Sequence, residues 1–287
     1  MPNASNPKVI LITGCSSGFG LLTAARLASL GHTVVATMRN LEKKDALLKE
    51  VTQRGGKIEL LQLDVTDQTS IDNTVKQTLN RFKTIDVVVN NAGYGIGGFF
   101  EDLSEAEIRA QLDTNFFGVQ NVCRAVLPVM RQNRSGKIIT ISSVAGLHST
   151  PGLGAYNASK WALEGFLESL YFELKLFGIQ VCMIEPGTYP TTIFRENKRL
   201  AKNFTNPESP YYSYSRFLDA RVNKFVSNLK KDQEDIAGMV EDLINVANPP
   251  LRNFPDKESL IRHFLKRFLP FRLYGWLVQK AMFWGYK

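Results

Sequence analysis

Val9-Ile-Leu-Ile12 runs straight into Thr13-Gly-Cys-Ser-Ser-Gly-Phe-Gly20 and then into Leu21-Leu-Thr-Ala-Ala-Arg-Leu-Ala-Ser-Leu30, and these three segments decide the fold. The first is a short apolar run without alternation, the pattern of a strand buried on both faces. The last has helical periodicity, and Gly31 follows where a helix ending in Leu27 to Leu30 needs a left-handed cap. Between them Gly14, Gly18 and Gly20 permit a tight turn. With Ser16, Ser17 and Phe19 they let backbone N–H groups and a helix N-terminus approach a pyrophosphate with no side chain in the way. Without a flanking strand and helix the same glycines would be only a flexible connector.

Working outward, the same kind of run recurs at 33–37 (TVVAT), 58–63 (IELLQL), 85–89 (IDVVV), 137–142 (KIITIS) and 179–184 (IQVCMI), with helix-length segments between. Such alternation predicts an α/β fold, a Rossmann-type doubly wound parallel sheet. No Gly/Ser/Pro linker divides the chain, so a single domain is expected. Residues 1–255 read as a dinucleotide-binding catalytic domain, with an irregular, aromatic-rich insertion at 188–232. Helical periodicity resumes at about Glu234 to Val246, PPLRNF at 249–254 offers one more short strand, and 256–287 form a basic, aromatic tail.

The 287 residues carry 35 Lys plus Arg against 27 Asp plus Glu, and 44% of them are hydrophobic, an ordinary globular balance that excludes disorder and fibrous repeats. Cys15, Cys123 and Cys182 form no Cys-x-x-Cys pair, so neither a disulfide framework nor a metal site is expected, and a reducing, cytoplasmic setting fits. The N-terminal residues lack a signal-peptide pattern, and no stretch is apolar for long enough to suggest a membrane span. Residues 251–287 hold eight basic against two acidic residues, so most of the +8 charge sits in the tail. Charge gathered in one tail rather than spread over a face argues against nucleic acid as partner.

The second run ends TVVATMRN, placing Arg39 where a cofactor lacking the 2′-phosphate would call for an acid. Lys43 and Lys44 follow. A guanidinium suits a 2′-phosphate, so NADP(H) is favoured over NAD(H).

Further along, Tyr156-Asn-Ala-Ser-Lys160 sets a phenol and an ammonium four residues apart on one helical face, and Ser143 ends the preceding strand. With TGxxxGxG at 13–20, NNAG at 90–93, Asn115 in NFFG and Pro-Gly at 186–187, the chain resembles the short-chain dehydrogenase/reductases from residue 8 to about 254. The resemblance implies hydride transfer between a nicotinamide cofactor and a carbonyl or alcohol, with Tyr156 as general acid/base. Lys160 favours the phenolate and Ser143 steadies charge on the substrate oxygen. Asn115 is implied to distort its helix and hold a water that links Lys160 to solvent. Asp64 and Val65 match the family's adenine contacts, and Asn91, Ala92 and Gly93 the segment beside the adenosine ribose. Pro186, Gly187, Thr188 and Thr191 match the nicotinamide loop, with Thr192 able to replace Thr191.

VVATMRN, NAGYGIGGFFEDLS, SKWALEGFLESL and PPLRNF are most similar to the hydroxysteroid and retinol dehydrogenase branch, which implies a bulky apolar substrate. The aromatics of 188–217 read either as the pocket for it or as packing of the insertion. His148 either touches substrate or merely sits in a loop. Loss of Ser143, Tyr156 or Lys160 would have marked an idle nucleotide-binding sensor; all three are present. The segment WALEGFLESLYFEL reads as a face for a homo-oligomer or as a core helix. In the tail, Leu260, Ile261, Phe264, Leu265 and Phe268 form one apolar sector opposite Arg262, His263, Lys266 and Arg267. Such a helix either packs its apolar sector on the protein or touches a membrane surface.

Overall fold

A computed structural model describes residues 7–191 and 199–286. In chain order the elements are β1 Val9–Ile12, α1 Gly18–Ser29, β2 Thr33–Met38, α2 Asp45–Gln53, β3 Ile58–Gln62, α3 Gln68–Phe82, β4 Val87–Asn90 and β5 Ile96–Gly97. Then come α4 Glu105–Leu112, α5 Gly118–Asn133, β6 Gly136–Ile141, α6 Gly154–Lys175, β7 Ile179–Ile184, β8 Arg199–Leu200, α7 Tyr212–Ser227, α8 Glu234–Asn245, β9 Arg252–Asn253, α9 Lys257–Phe268 and α10 Phe271–Phe283. Seven strands form a sheet in the order β3-β2-β1-β4-β6-β7-β9, every pair parallel. This is the expected doubly wound Rossmann-type sheet.

Both faces of the sheet are buried, which explains the unbroken apolar strands. Ile10, Ile12, Val34 and Ala36 pack with Leu27, Ile236 and Val240 from α1 and α8 on one side. Their neighbours Leu11, Val35, Val88 and Ile138 pack with Val122, Val126, Leu163 and Leu167 from α5 and α6 on the other. Each of the Val, Leu and Ile side chains contributes about 1.5–3 kcal/mol by leaving water. Gly31 adopts φ +85°, the predicted left-handed turn after α1. Lys137 is buried at the edge of this core, and its ammonium donates to the carbonyls of Leu243 (2.5 Å), Ile244 (3.0 Å) and Val246 (2.7 Å), closing the C-terminus of α8 with a positive charge.

Two regions differ from expectation. The segment 188–232 is not irregular throughout, because Tyr212–Ser227 is helical, with Ser215, Leu218 and Val226 turned inward. Their spacing of three and eight is helical, but the aromatic and polar residues between obscure it. Among the aromatics of this segment, Tyr189 and Phe204 are buried in core clusters, Tyr211 stacks on Phe99, and Tyr214 and Phe217 pack against Tyr286 of the tail. Phe194 lies outside the described residues.

The tail is helical as its periodicity predicts, and Pro270 stands at the break between α9 and α10. Its orientation is the reverse of packing on the body: Leu260, Ile261, Phe264, Leu265 and Phe268 are all exposed, while Arg262, His263 and Lys266 are half-buried. Leu163, Leu167, Leu170 and Leu174 of α6 are core, whereas Trp161 and Phe172 of the same helix face outward.

Candidate active site

Successive connections from β1 and β4 leave the sheet in opposite directions, and the crevice opens beyond the carboxyl ends of these two strands. Gly14 has φ +74°, and a Cβ there would come within 2.8 Å of the Ala92 backbone. Gly20 lets α1 close onto β4, since a Cβ on it would fall 2.3 Å from the Asn91 side chain and 2.5 Å from the Gly14 carbonyl. Thr13 ties the two strand ends together: its hydroxyl accepts from the N–H groups of Asn91 (3.1 Å) and Ala92 (3.0 Å). The Asn91 amide donates in turn to the carbonyls of Thr13 (2.9 Å) and Gly14 (3.0 Å).

A cleft of about 460 Å³ follows. Of the residues expected to meet a cofactor, Gly14, Ser16, Ser17, Gly18, Phe19, Arg39, Asp64, Val65, Asn91, Ala92, Gly93, Tyr156, Lys160 and Thr191 line it. Gly20, Pro186, Gly187 and Thr188 are not part of that lining; Gly20 is a packing glycine, and Gly187 lies against Ser259, Lys231 and Asp256. Thr192 lies outside the described residues. The N-terminus of α1 opens into this cleft beside side-chain-free backbone, and Arg39, 68% exposed, reaches over its rim with Lys43. The nearest carboxylate oxygen, on Asp64, is 3.9 Å from the Arg39 Nε, too far for a hydrogen bond, so the guanidinium remains open to an anion. This donor set fits a dinucleotide.

At the other end of the cleft the catalytic candidates converge. Ser143 caps the turn after β6, its hydroxyl accepting from Ala145 N–H (3.1 Å), and it lies close enough to the Tyr156 phenol to favour its ionised form. Lys160, one turn further along α6, is buried and donates to the Ile141 carbonyl (2.9 Å). Burial lowers its ammonium to about 8. Burial also raises the Tyr156 phenol, against the pull of the Ser143 hydroxyl.

Asn115 sits in a π-helical turn, Asp113–Phe117, between α4 and α5, the distortion expected of it. Its amide donates to the Tyr94 carbonyl (2.9 Å) and the Ser159 hydroxyl (3.1 Å) and accepts from Tyr94 N–H (3.0 Å). It thereby joins the β4 loop to the helix that carries Tyr156 and Lys160.

His148 is buried beneath α9 and is not part of the cleft wall. Burial, with Arg262 and Lys266 nearby, lowers it to about 4, so it is neutral at physiological pH. Sequence reasoning missed Tyr94, Thr114 and Arg199, all on the cleft wall. Tyr94 directly follows NNAG and was within reach of that motif. Arg199, stacked 3.9 Å from the Tyr94 ring centre, carries no motif and is brought there by the β5–β8 pairing alone.

Residues 8–202 match the family model described as short chain dehydrogenase. A 3-ketodihydrosphingosine reductase of Bacteroides thetaiotaomicron is 44% identical over 212 residues, 74% of this chain and 75% of that protein. Human retinol dehydrogenase 8 is 40% identical over 260 residues, 87% of this chain and 81% of that one. A crystal structure of a short-chain dehydrogenase/reductase from Burkholderia phymatum in complex with NAD superposes with a TM-score of 0.79 at 27% identity, covering 90% of this chain and 92% of that one.

Proposed function

The chain belongs to the short-chain dehydrogenases, and from that premise we propose that it interconverts a carbonyl and an alcohol on a bulky apolar substrate with NADP(H). The family makes it an oxidoreductase that uses a nicotinamide cofactor; the phosphate preference, the residue roles and the substrate class are our reading. Arg39 at the open rim, with no acid in its place, is the observation that carries the cofactor choice. The catalytic unit is residues 1–255. The names of the relatives, a retinol dehydrogenase and a ketosphingoid reductase, favour a long or polycyclic apolar substrate.

The cofactor, when bound, supplies or accepts the hydride. Gly14 to Gly20 would receive its pyrophosphate, Asp64 and Val65 its adenine, Asn91, Ala92 and Gly93 its adenosine ribose, and Pro186, Gly187, Thr188 and Thr191 its carboxamide. On reduction, the Tyr156 hydroxyl gives its proton to the substrate oxygen as the carbon gains the hydride. The Lys160 ammonium lowers the cost of the resulting phenolate, and Ser143 donates to the same substrate oxygen. Asn115 holds the helix and loop that keep Lys160 in place.

A screen of steroids, retinoids and long-chain aldehydes with both cofactors tests this reading. Arg39→Asp should raise KM for NADPH tenfold or more, about 1.4 kcal/mol, while NADH improves. Tyr156→Phe should abolish turnover and leave NADPH binding intact. Wild-type preference for NADH, or a Phe variant keeping most of its rate, overturns the corresponding assignment.

Among the described residues no helix is long and apolar enough to cross a membrane. Our reading places the protein in the cytoplasm with its tail on an anionic membrane surface. The apolar sector of α9 continues into exposed Phe271, Leu273, Trp276 and Leu277 of α10 and Trp284 just after it. Lys280 lies over both Trp276 and Trp284, and no acidic residue follows Glu258. Two such tails would repel each other, whereas anionic headgroups attract them. Trp161 and Phe172 leave α6 as the face for a homo-oligomer. Full-length protein should pellet with anionic liposomes at low salt and be released as salt rises. No pelleting by folded protein overturns the membrane contact.

A further inference from the structure

Behind the catalytic pair lies a buried charged cluster that the mechanism above leaves unused. Glu164, one helical turn after Lys160 on α6, accepts from the Ser142 hydroxyl and from the Arg252 guanidinium. Arg252, on β9, also donates to Glu185 (2.8 Å) and Glu168 (3.0 Å). Glu185 is fully buried at the end of β7, one residue before Pro186. Two buried carboxylates thus face one guanidinium. Burial and the neighbouring Glu164 raise Glu185 to about 8, so at neutral pH it holds a proton; burial raises Glu164 as well, against the Ser142 hydrogen bond and the Arg252 guanidinium, which favour its charged form.

The cluster touches the catalytic strand end from several elements. Ser142 immediately precedes Ser143, and a Cβ on Gly146, in the turn after Ser143, would come within 2.6 Å of Glu164 Cγ. Backbone bonds run alongside, from Ser142 N–H to Ile184 O (2.8 Å), Val144 N–H to Pro186 O (3.0 Å) and Glu185 N–H to Asn253 O (2.9 Å).

We propose that Glu164 is a positioning residue for catalysis: held by Arg252, it fixes the strand end that carries Ser143 and sets a negative charge one turn behind Lys160. This rests on Lys160 acting beside Tyr156. The charge of Glu164 opposes the fall that burial imposes on the Lys160 ammonium. The ionisable groups around Glu164 are Lys160 and Glu168 of α6, Glu185 of β7 and Arg252 of β9; His263 of α9 faces Arg252. Of these, only Lys160 belongs to the reacting set.

The sign follows. Lys160 must be protonated to hold a phenolate, so activity falls as pH rises through its titration. Removing the charge of Glu164 brings that fall to lower pH. Glu164→Gln keeps an acceptor for Ser142 and should move the alkaline limb of kcat down by about one pH unit. Arg252→Gln, acting from another element, leaves Glu164 protonated and should move it the same way. Glu164→Asp keeps the charge and should restore most of the wild-type position.

The limb is read twice in each variant whose thermal unfolding shows it folded: as kcat on the carbonyl best reduced in the screen, and as the pH above which NADPH binding, followed by its fluorescence, weakens. The second readout needs no substrate, so a protein that reduces nothing in the screen fails the proposed function without deciding this inference. Limbs that coincide with wild type in both folded Gln variants, with only rate or stability reduced, overturn it.

Discussion

Helices α8 and α9 are each twelve residues long and equally two-faced, yet they are set on the body in opposite senses. In α8 the apolar residues Ile236, Ala237, Val240, Leu243 and Ile244 are buried. Its acids reach outward to cations, Glu241 to Arg26 at 2.6 Å and Glu234 to Arg54. In α9 the apolar face is the exposed one, and the charged end holds the helix down: Asp256 caps it by accepting from Ser259 N–H (2.9 Å) and Ser259 hydroxyl (2.7 Å), and Lys231 bridges Asp256 and Glu258 at 3.0 Å each. Amphipathic spacing therefore tells that a helix has two faces; the ion pairs available on the neighbouring surface decide which one turns in.

The sharpest way to break this contrast is to put the same charge on each apolar face. Val240→Asp in α8 should cost more than about 3 kcal/mol, seen as a large drop in Tm or as insoluble protein, because an unpaired carboxylate would be buried. Asp256→Ala removes the α9 cap and should cost about 1 kcal/mol, measured by denaturant unfolding. That contribution depends on pH with a defined sign. Burial alone would raise Asp256, but Ser259 and Lys231 hold it below the usual carboxylate range. Its stabilisation is present above the ordinary carboxylate pKa and is lost as pH falls through the lower, folded value. The smallest stability effect is expected from Phe264→Asp in α9, within about 0.5 kcal/mol by the same unfolding measurement, while liposome pelleting falls away. A large loss of stability in that variant would mean the α9 face is packed after all.

The comparison also shows what could be read from residues alone. The unbroken apolar strands, the glycine turn and the Ser143, Tyr156 and Lys160 spacing were legible because each follows from local chain geometry. Helix α7 was hidden, since Tyr, Arg and Asn occupy the outward positions between its few inward ones. The orientation of α9 was hidden because it depends on Lys231, twenty-five residues upstream of Asp256. The Glu164, Glu185 and Arg252 cluster was hidden too: each residue sits in a stretch that reads as an ordinary helix or strand end, and only the fold brings them together.

That cluster also constrains the order in which the molecule can be completed as it is synthesised. Glu164 and Glu185 emerge well before Arg252, which lies eighty-eight residues beyond Glu164. Until β9 arrives, the edge of β7 is unpaired and both acids must keep water or protons in place of their counter-ion. The strand end bearing Ser143 and the loop bearing Pro186 acquire their final support only then, from a residue far along the chain. A newly made chain can thus have its central strands paired while still incompetent in chemistry.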